Sequence, residues 1–261
     1  MTAYEVFKSE CMSEIAAQGQ DDEFRRASEQ WMSRSYGHKY SYHFEWLGRP
    51  VIQYPQETVA LQELCWLLKP DLIIETGIAH GGSLILSASL LMLCDFADAE
   101  RDGLLLNPQT PRRKVVGIDI DIRPHNLSAL QEHPLHNYIQ MIEGSSVDPK
   151  IVDAVRRIAA GYKRILVLLD SNHTHDHVLA ELKAYTPLVS DGSYCIVYDT
   201  VIEDMPPGSF PERPWDVGDN PMTAVREFLR ENPQFMVDRS IQEKLQITVA
   251  PDGYLKRVSA Q

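Results

Sequence analysis

The chain alternates short apolar segments with longer amphipathic ones, and this alternation limits the possible folds more than any other feature. Five apolar segments bounded by turn residues lie at residues 71–75, 114–119, 138–142, 164–170 and 193–198. Because segments with helical spacing separate them, the pattern predicts an α/β fold with a doubly wound, mostly parallel sheet. Weaker strands are predicted near 235–239, 245–250 and 254–258, with no helix separating these last strands and a turn at Asp252-Gly253. One edge of the sheet is therefore expected to be antiparallel.

The N-terminal part has a different character. Residues 3–34 have the spacing of two amphipathic helices, the second ending near Arg34, and residues 36–46 are rich in Tyr and His. Residues 50–55 are predicted to be extended, and a helix is predicted at 56–68 with Pro70 as its stop. We therefore expect an N-terminal helical and aromatic extension, residues 1–54, that forms an oligomer interface or a substrate cap. Residues 55–261 are expected to form a cofactor-binding domain.

Charge and composition exclude several classes of protein. The net charge is -12, from 25 Lys+Arg and 37 Asp+Glu, which argues against nucleic-acid binding because phosphates require a positive surface. No membrane span or signal peptide is expected, since no apolar run reaches about 18 residues. Four widely spaced cysteines are typical of free thiols in a reducing compartment, so a cytoplasmic location is expected. Residues 101–113, with Gly103 and the arginine pair Arg112-Arg113, are predicted to be an exposed insertion.

A glycine-rich turn, ETGIAHGGS at Glu75–Ser83, follows the first predicted strand. Glycine allows a ligand to approach the backbone, and the helix that follows offers free N–H groups. The stretch has neither the ending of a phosphate-binding loop nor the G-x-G-x-x-G pattern of dinucleotide sites. The acid Glu75 would repel a pyrophosphate but suits the ammonium of S-adenosylmethionine, the predicted ligand. The alternative is a tight turn that binds nothing.

Polar residues follow each of the five strong strands, at the edge of the sheet where ligands bind in such folds. Asp119 is placed to accept hydrogen bonds from a ribose, and the turn around Ser145 either contacts adenine or is an ordinary loop. Asp170 and Asp199 end neighbouring strands, so their carboxylates are expected to lie close together. Two carboxylates with water and substrate oxygens suit Mg²⁺.

Three histidines follow Asp170 at alternating positions. Residues at i, i+2 and i+4 cannot all face one site at the start of a helix. His173 is nearest the strand end and is the first candidate for the proton acceptor, His175 is the second, and His177 is expected to pack on the helix.

Taken together, these pieces resemble the cephalosporin hydroxylase family, a branch of the S-adenosylmethionine-dependent methyltransferase fold. The matching pieces lie in order from about Gln53 to Val225: ETGIAHGGS, VGIDIDIRPHN, IEGSS, LLDSNHTHDHVLAELKAY and PWDVGDNPMTAV. The resemblance implies a seven-stranded class I methyltransferase sheet and a metal-dependent O-methyltransferase acting on small molecules or sugars, including secondary metabolites.

The resemblance also implies site residues. Cofactor-binding positions carried over from the family pattern are Glu75, Gly77, Gly81, Ser83, Asp119, Arg123, Ser145 and Asp170. The family's metal site is similar to an aspartate after the fourth strand plus an acidic pair after the fifth. Asp170 matches the first, but the pair reads Tyr198-Asp199, so one ligand is lost or supplied by Glu203, Asp204 or His173. His80 stands where the family often has arginine.

The sequence thus predicts Mg²⁺-assisted methyl transfer from S-adenosylmethionine to a hydroxyl of a small acceptor, with Asp170, His173 and His175 as catalytic residues. A homo-oligomer that binds neither nucleic acid nor membrane is expected. A hydroxylase-type tailoring enzyme and a catalytically weak, cofactor-binding partner subunit stay open as alternatives. The loop 214–221 is predicted to cover the acceptor; the alternative is an ordered surface loop. Residues 36–54 are predicted to form the opposite wall of the acceptor site; the alternative is an aromatic core or interface.

Overall fold

A seven-stranded sheet forms the centre of the computed structural model, which describes residues 1–258. Its strands, numbered in chain order, are β1 Leu72–Thr76, β2 Lys114–Asp119, β3 Ile139–Glu143, β4 Ile165–Leu169, β5 Tyr194–Val197, β6 Phe235–Val237 and β7 Tyr254–Arg257. They pair in the order β3-β2-β1-β4-β5-β7-β6. All pairs among the first five strands are parallel, whereas β7 is antiparallel to both of its neighbours, β5 and β6. The predicted doubly wound sheet is therefore confirmed, although the antiparallel strand lies one place in from the edge.

Helices cover both faces of this sheet, and a separate apolar core lies on each face. Several helices begin with local sequence signals. Four helices begin with a proline, at Pro55, Pro124, Pro149 and Pro221, where the missing N–H costs nothing. The helices are α1 Ala3–Gly19, α2 Asp22–Gly37, α3 Pro55–Leu68, α4 Gly82–Asp102, α5 Pro124–Gln131, α6 Pro149–Ala159, α7 His175–Tyr185, α8 Pro221–Glu231 and α9 Arg239–Leu245.

The N-terminal extension contains the two predicted helices, and the second runs three residues beyond its predicted end at Arg34. A two-strand antiparallel ribbon follows, formed by Glu45–Trp46 and Arg49–Pro50. The predicted roles of the extension, oligomer interface or substrate cap, stay predictions.

The strand predicted near 245–250 was wrong, and so was the absence of a helix before β7. Residues Arg239–Leu245 form α9, whose first turn is capped by the Asp238 side chain. The alternating apolar residues after it are not in the sheet because other partners satisfy their backbone. The Val249 N–H donates to the buried Glu57 carboxylate at 2.8 Å, and the Val249 carbonyl accepts from the Val201 N–H at 3.2 Å. In this segment the alternation of apolar and polar residues reflects burial of the apolar side chains and not pairing of a strand.

The helix α4 is long and apolar enough to cross a membrane by length and composition. Since 67% of its most apolar window is buried inside the protein, it is a core helix that packs on the sheet and on α3. The cytoplasmic location stays a prediction.

The insertion predicted to be exposed at 101–113 ends in a buried ion-pair cluster. Arg113 is only 2% exposed. Its guanidinium donates to the buried Asp95 carboxylate, to Asp98 at 2.5 Å and to the Pro70 carbonyl at 3.0 Å. The cluster fixes the chain that enters β2, so the prediction of an exposed arginine at this position was wrong.

Removing this guanidinium is expected to destabilise the protein. In Arg113→Ala, the Asp95 carboxylate stays buried without its partner, and breaking a buried pair in this way costs about 3 to 5 kcal/mol. Urea denaturation followed by circular dichroism measures the loss. The neighbouring Arg112 is exposed, so Arg112→Ala is the matched control and should change stability by less than about 0.5 kcal/mol. Equal effects of the two substitutions would contradict this assignment.

Candidate active site

A cavity of about 410 Å³ opens at the carboxyl ends of β1, β4 and β5. Residues from the 36–54 stretch line it together with Phe210, Arg213 and Trp215. Both the aromatic stretch and the predicted loop 214–221, through Trp215, therefore reach the cavity, and their roles as wall and cover of an acceptor stay predictions. The glycine-rich turn after β1 and the polar residues after β4 and β5 also line the cavity.

Backbone strain is concentrated around this cavity. Within residues 1–258, eight residues other than glycine have a positive φ, and half of them line the cavity: Lys39, Ile52, Ala79 and Asp199. A positive φ is especially unfavourable for a β-branched residue such as Ile52. Conformations of this kind persist where the surrounding structure enforces them, and they cluster at functional sites.

The glycine-rich turn packs too tightly for side chains at two positions. Gly77 has φ +89°, and a Cβ there would lie 2.0 Å from the Asp170 carbonyl oxygen. A Cβ on Gly82 would lie 2.2 Å from the Pro50 carbonyl oxygen. The turn therefore joins the ends of β1 and β4 and brings the N-terminus of α4 to the cavity.

Asp119, predicted to bind a ribose, shapes this turn. Its carboxylate accepts hydrogen bonds from the N–H groups of Ile78 at 2.7 Å and Ala79 at 3.2 Å. It also accepts from the Asp121 N–H at 3.1 Å. Contact with a cofactor ribose stays a prediction.

Glu75 lies behind the turn and is 2% exposed. It accepts hydrogen bonds from Ser83, which lines the cavity, and from Ser87 at 3.4 Å. Burial raises the pKa of Glu75 to about 7, although both serine hydroxyls oppose the shift. The carboxyl group therefore changes its charge near neutral pH.

Two positions carried over from the family pattern lie away from the cavity. Arg123 is on the surface, where its Nε is 3.9 Å from an Asp121 oxygen and its side chain is 63% exposed. The Ser145 carbonyl accepts from the Asp148 N–H at the start of α6. Neither is among the described residues that line the cavity, and the same holds for Glu75, Gly81 and Asp119 nearer the turn, so the cofactor roles of all five stay predictions.

A cluster of three ligand-type side chains lies in the cavity. One ligand atom each of Asp170, His173 and Asp199 lies within 4.8 Å of the other two. The His173 Nε2 is 3.3 Å from an Asp199 oxygen. The predicted proximity of the two aspartates at neighbouring strand ends is present, and His173, the histidine expected to lie nearest the strand end, joins them.

Two residues that the sequence did not single out hold these carboxylates. The Gln53 amide donates to Asp170 at 3.0 Å, and the Tyr36 hydroxyl donates to Asp199 at 3.1 Å. Both donors come from the N-terminal extension, more than 100 positions away in the sequence. Hydrogen bonds of this kind orient metal ligands in metalloproteins.

The two carboxylates also repel each other. Burial raises the pKa of Asp170 well above its usual range, and the charges of Asp199 and Glu75 raise it further. A bound divalent cation would relieve this repulsion, so the donor set fits a cation through its two carboxylates.

The other predicted proton acceptor, His175, points away from the cavity. Its Nδ1 is 2.8 Å from the Thr223 hydroxyl, and its Nε2 is 3.3 Å from a Glu227 oxygen, both on α8. The base role predicted for His175 therefore has no geometric support. His177 packs against Ser146 and Ser171, as expected for a helix residue.

Of the candidates for the missing metal ligand, only His173 reaches the cluster. Glu203 accepts from the Gly218 N–H at 2.9 Å and the Asn220 amide at 2.6 Å, so it fastens the loop over the cavity. Asp204 lines a different cavity, beside α9. Tyr198 is 6% exposed, and burial raises its pKa well above the usual range, so it stays neutral.

Comparison with known proteins gives the family. The profile of the family described as Rhamnosyl O-methyltransferase/CmcI matches residues 38–258. The chain belongs to this family. A rhamnosyl O-methyltransferase of Mycobacterium tuberculosis is 30% identical over 200 residues, which cover 75% of this chain and 71% of the relative. The predicted family and the prediction of an S-adenosylmethionine-dependent O-methyltransferase are confirmed.

Solved structures agree on the fold. The Mg–SAM structure of CmcI superposes with a TM-score of 0.55 at 18% identity and covers 84% of this chain and 78% of that one. A TDP-rhamnose 3'-O-methyltransferase of calicheamicin biosynthesis superposes with a TM-score of 0.50 at 15% identity and covers 92% of this chain and 95% of that one. The predicted seven-stranded methyltransferase sheet is confirmed.

Proposed function

We propose that the chain transfers the methyl group of S-adenosylmethionine to a hydroxyl of a sugar or a similar small polar acceptor, with the help of a divalent cation. The observation that carries this proposal is the shared cavity: the glycine-rich turn and the Asp170, His173 and Asp199 cluster line the same space. A cofactor held at the turn and an acceptor held at the cluster would lie side by side.

In this proposal the chain mainly positions the reactants. When bound, S-adenosylmethionine supplies an electrophilic methyl group on a sulfonium, and a cation lowers the pKa of a hydroxyl that it binds. Asp170 and Asp199 hold the charge at the acceptor end of the cavity, while Gln53 and Tyr36 keep the two carboxylates in place. The loop with Trp215 covers this end and limits the entry of water.

The cavity walls support a sugar acceptor that carries an anionic group. Tyr40, Tyr42 and Trp215 line the cavity and offer aromatic faces. Lys39 and Arg213 also line it, in a chain whose net charge is -12, and both cations would attract a phosphate or carboxylate on the acceptor. The rhamnosyl relatives favour a deoxy sugar.

Two measurements test the proposal. Calorimetry of the full chain with S-adenosylmethionine is expected to show binding, and methyl transfer is then measured on a panel of free rhamnosides and rhamnosyl phosphates. We expect transfer to a hydroxyl, with phosphate-bearing acceptors preferred. Binding without any transfer would support the partner-subunit alternative instead. A chain that binds no S-adenosylmethionine would contradict the proposal altogether.

A pair of glycine variants controls the binding measurement. Gly77→Ala introduces a Cβ against the Asp170 carbonyl at the cofactor turn and should weaken S-adenosylmethionine binding by at least ~10-fold. Gly192 also has a positive φ, +77°, but a Cβ added there would meet no atom within 4 Å. Gly192→Ala therefore carries similar backbone strain away from the cavity and should bind the cofactor as the wild type does.

A further inference from the structure

An imidazole stands beside the two carboxylates of the cluster. Asp170 and Asp199 supply oxygen, and the buried Tyr198 has no carboxylate to offer at the position where the family pattern has an acid. The His173 Nε2 lies 3.3 Å from the Asp199 carboxylate. The donor set within reach is therefore two carboxylates and one nitrogen.

The position of His173 is fixed by its surroundings. Its ring stands edge to face against Trp215, with ring centroids 4.6 Å apart and planes at 83°. Its side chain is 16% exposed, so the ring is largely removed from solvent. Because the ring is already held in place, binding of a cation by its nitrogen costs little conformational entropy.

This donor set fits Mg²⁺ poorly at its third position. Mg²⁺ is a hard ion that prefers oxygen ligands and water, whereas imidazole nitrogen suits transition metals such as Fe²⁺, Ni²⁺, Cu²⁺ and Zn²⁺. We infer that His173 is the third protein ligand of a site that prefers a first-row transition-metal ion to Mg²⁺. Mn²⁺, the weakest binder of that series, serves as its spectroscopic probe because it also suits the two carboxylates. The inference concerns the ion and its ligand, and it rests on the cation site of the proposed function.

A consequence for the reaction follows from the single lone pair of Nε2. When that lone pair binds a cation it cannot accept a proton, so His173 is a ligand and not the proton acceptor predicted from the sequence. The hydroxyl proton then leaves through a carboxylate of the cluster or to water.

Metal affinity and a spectroscopic signal test the assignment together. The full chain, freed of metal with chelator, is titrated with MnCl₂ and MgCl₂ by calorimetry, and Mn²⁺ is expected to bind at least ~30-fold more tightly. Electron spin-echo modulation of the Mn²⁺ complex is expected to show coupling to a ¹⁴N nucleus. In His173→Gln the coupling should disappear and the preference for Mn²⁺ should fall below ~10-fold.

His175→Gln is the matched control. It removes an imidazole two positions away that contacts α8 and lies outside the cluster, so the ¹⁴N coupling and the Mn²⁺ preference should be unchanged. Equal affinity for the two ions, or a wild-type Mn²⁺ complex without ¹⁴N coupling, overturns the inference. Loss of the ¹⁴N coupling in His175→Gln, together with its retention in His173→Gln, would also overturn the inference.

Methyl transfer measured on the same samples separates this inference from the proposed function. If methyl transfer occurs with both ions and the chain binds Mn²⁺ and Mg²⁺ with equal affinity, the proposed function stands and the choice of metal is overturned. Mn²⁺ bound with ¹⁴N coupling, in a chain that neither binds S-adenosylmethionine nor transfers methyl groups, would support the ligand assignment and overturn the proposed function.

Discussion

Asp170→Asn is expected to remove most of the methyl transfer while the ligand-free protein stays at least as stable as the wild type. Asparagine has nearly the same shape and keeps an oxygen that can accept the hydrogen bond from the Gln53 amide. It removes the negative charge, so the cluster holds a cation with only one carboxylate. We expect transfer to fall by at least about 100-fold, the size of effect seen when one charge-stabilising group is removed from an active site.

The stability part of this prediction follows from the raised pKa of Asp170. Burial and the charges of Asp199 and Glu75 favour its protonated form in the folded protein. A carboxyl group with a raised pKa stabilises the fold at pH values below its unfolded pKa of about 3.9 and loses that contribution as the pH rises through its folded pKa. Asparagine cannot ionise, so this loss should be absent from the variant. Thermal unfolding of metal-free protein at pH 5 and pH 8 should show a smaller difference between the two pH values in Asp170→Asn.

The control for both measurements is Asp176→Asn, which removes an exposed aspartate from the first turn of α7. The variant should transfer methyl groups at the wild-type rate, and its unfolding temperature should depend on pH as that of the wild type does. Full transfer by Asp170→Asn, or by the wild type in excess chelator, would show that the reaction needs no cation at this cluster. A large drop in the unfolding temperature of Asp170→Asn would contradict the repulsion argument.

The sequence was sufficient for the sheet and for the ends of its strands. Apolar runs bounded by turn residues locate five parallel strands because burial on both faces leaves a strong local pattern. The same logic brings Asp170 and Asp199 together, since adjacent parallel strands end at the same edge. The sequence pattern gave a wrong prediction at residues 245–250. There the alternating apolar residues are buried by contacts with Glu57 and Val201 that only the folded chain supplies.

Long-range contacts explain what the sequence could not predict at the site. Gln53 and Tyr36 reach the two aspartates across more than 100 positions, and no local pattern marks a side chain that will do so. The choice between His173 and His175 depends on where the turn after β4 ends and α7 begins. The structure places His173 beside the two aspartates and His175 against α8. Arg113 was misjudged for a similar reason, because its partners lie on α4 and its own neighbours in sequence are polar.

Glu75→Gln is expected to weaken S-adenosylmethionine binding by roughly 10- to 100-fold, the range that corresponds to one charge-assisted hydrogen bond. The pKa of Glu75 is raised to about 7, so the wild-type carboxyl group is mostly neutral at pH 6 and mostly charged at pH 8. If its charge faces the positive amino-acid part of the cofactor, binding favours the ionised form. Wild-type affinity should then rise as the pH increases from 5.5 to 7.5, and the glutamine variant should show a flat profile. Calorimetry in buffers of different ionisation enthalpy should detect about one proton released on binding at pH 6 by the wild type and none by the variant.

Ser83→Ala separates an electrostatic role of Glu75 from a structural one. The Ser83 hydroxyl donates to the Glu75 carboxylate and lowers its pKa, so its removal should raise that pKa further and move the rise in affinity to higher pH. A merely structural Glu75 would give weaker binding at every pH with no such displacement. A wild-type affinity that does not change between pH 5.5 and 7.5 would contradict the assignment of the ionised carboxylate to the cofactor. The ionised Glu75 also raises the pKa of Asp170, but a divalent cation at the cluster carries twice the charge of that carboxylate and would be attracted to Glu75 more strongly than the carboxylate is repelled. Protonation of Glu75 should therefore weaken cation binding as well as cofactor binding.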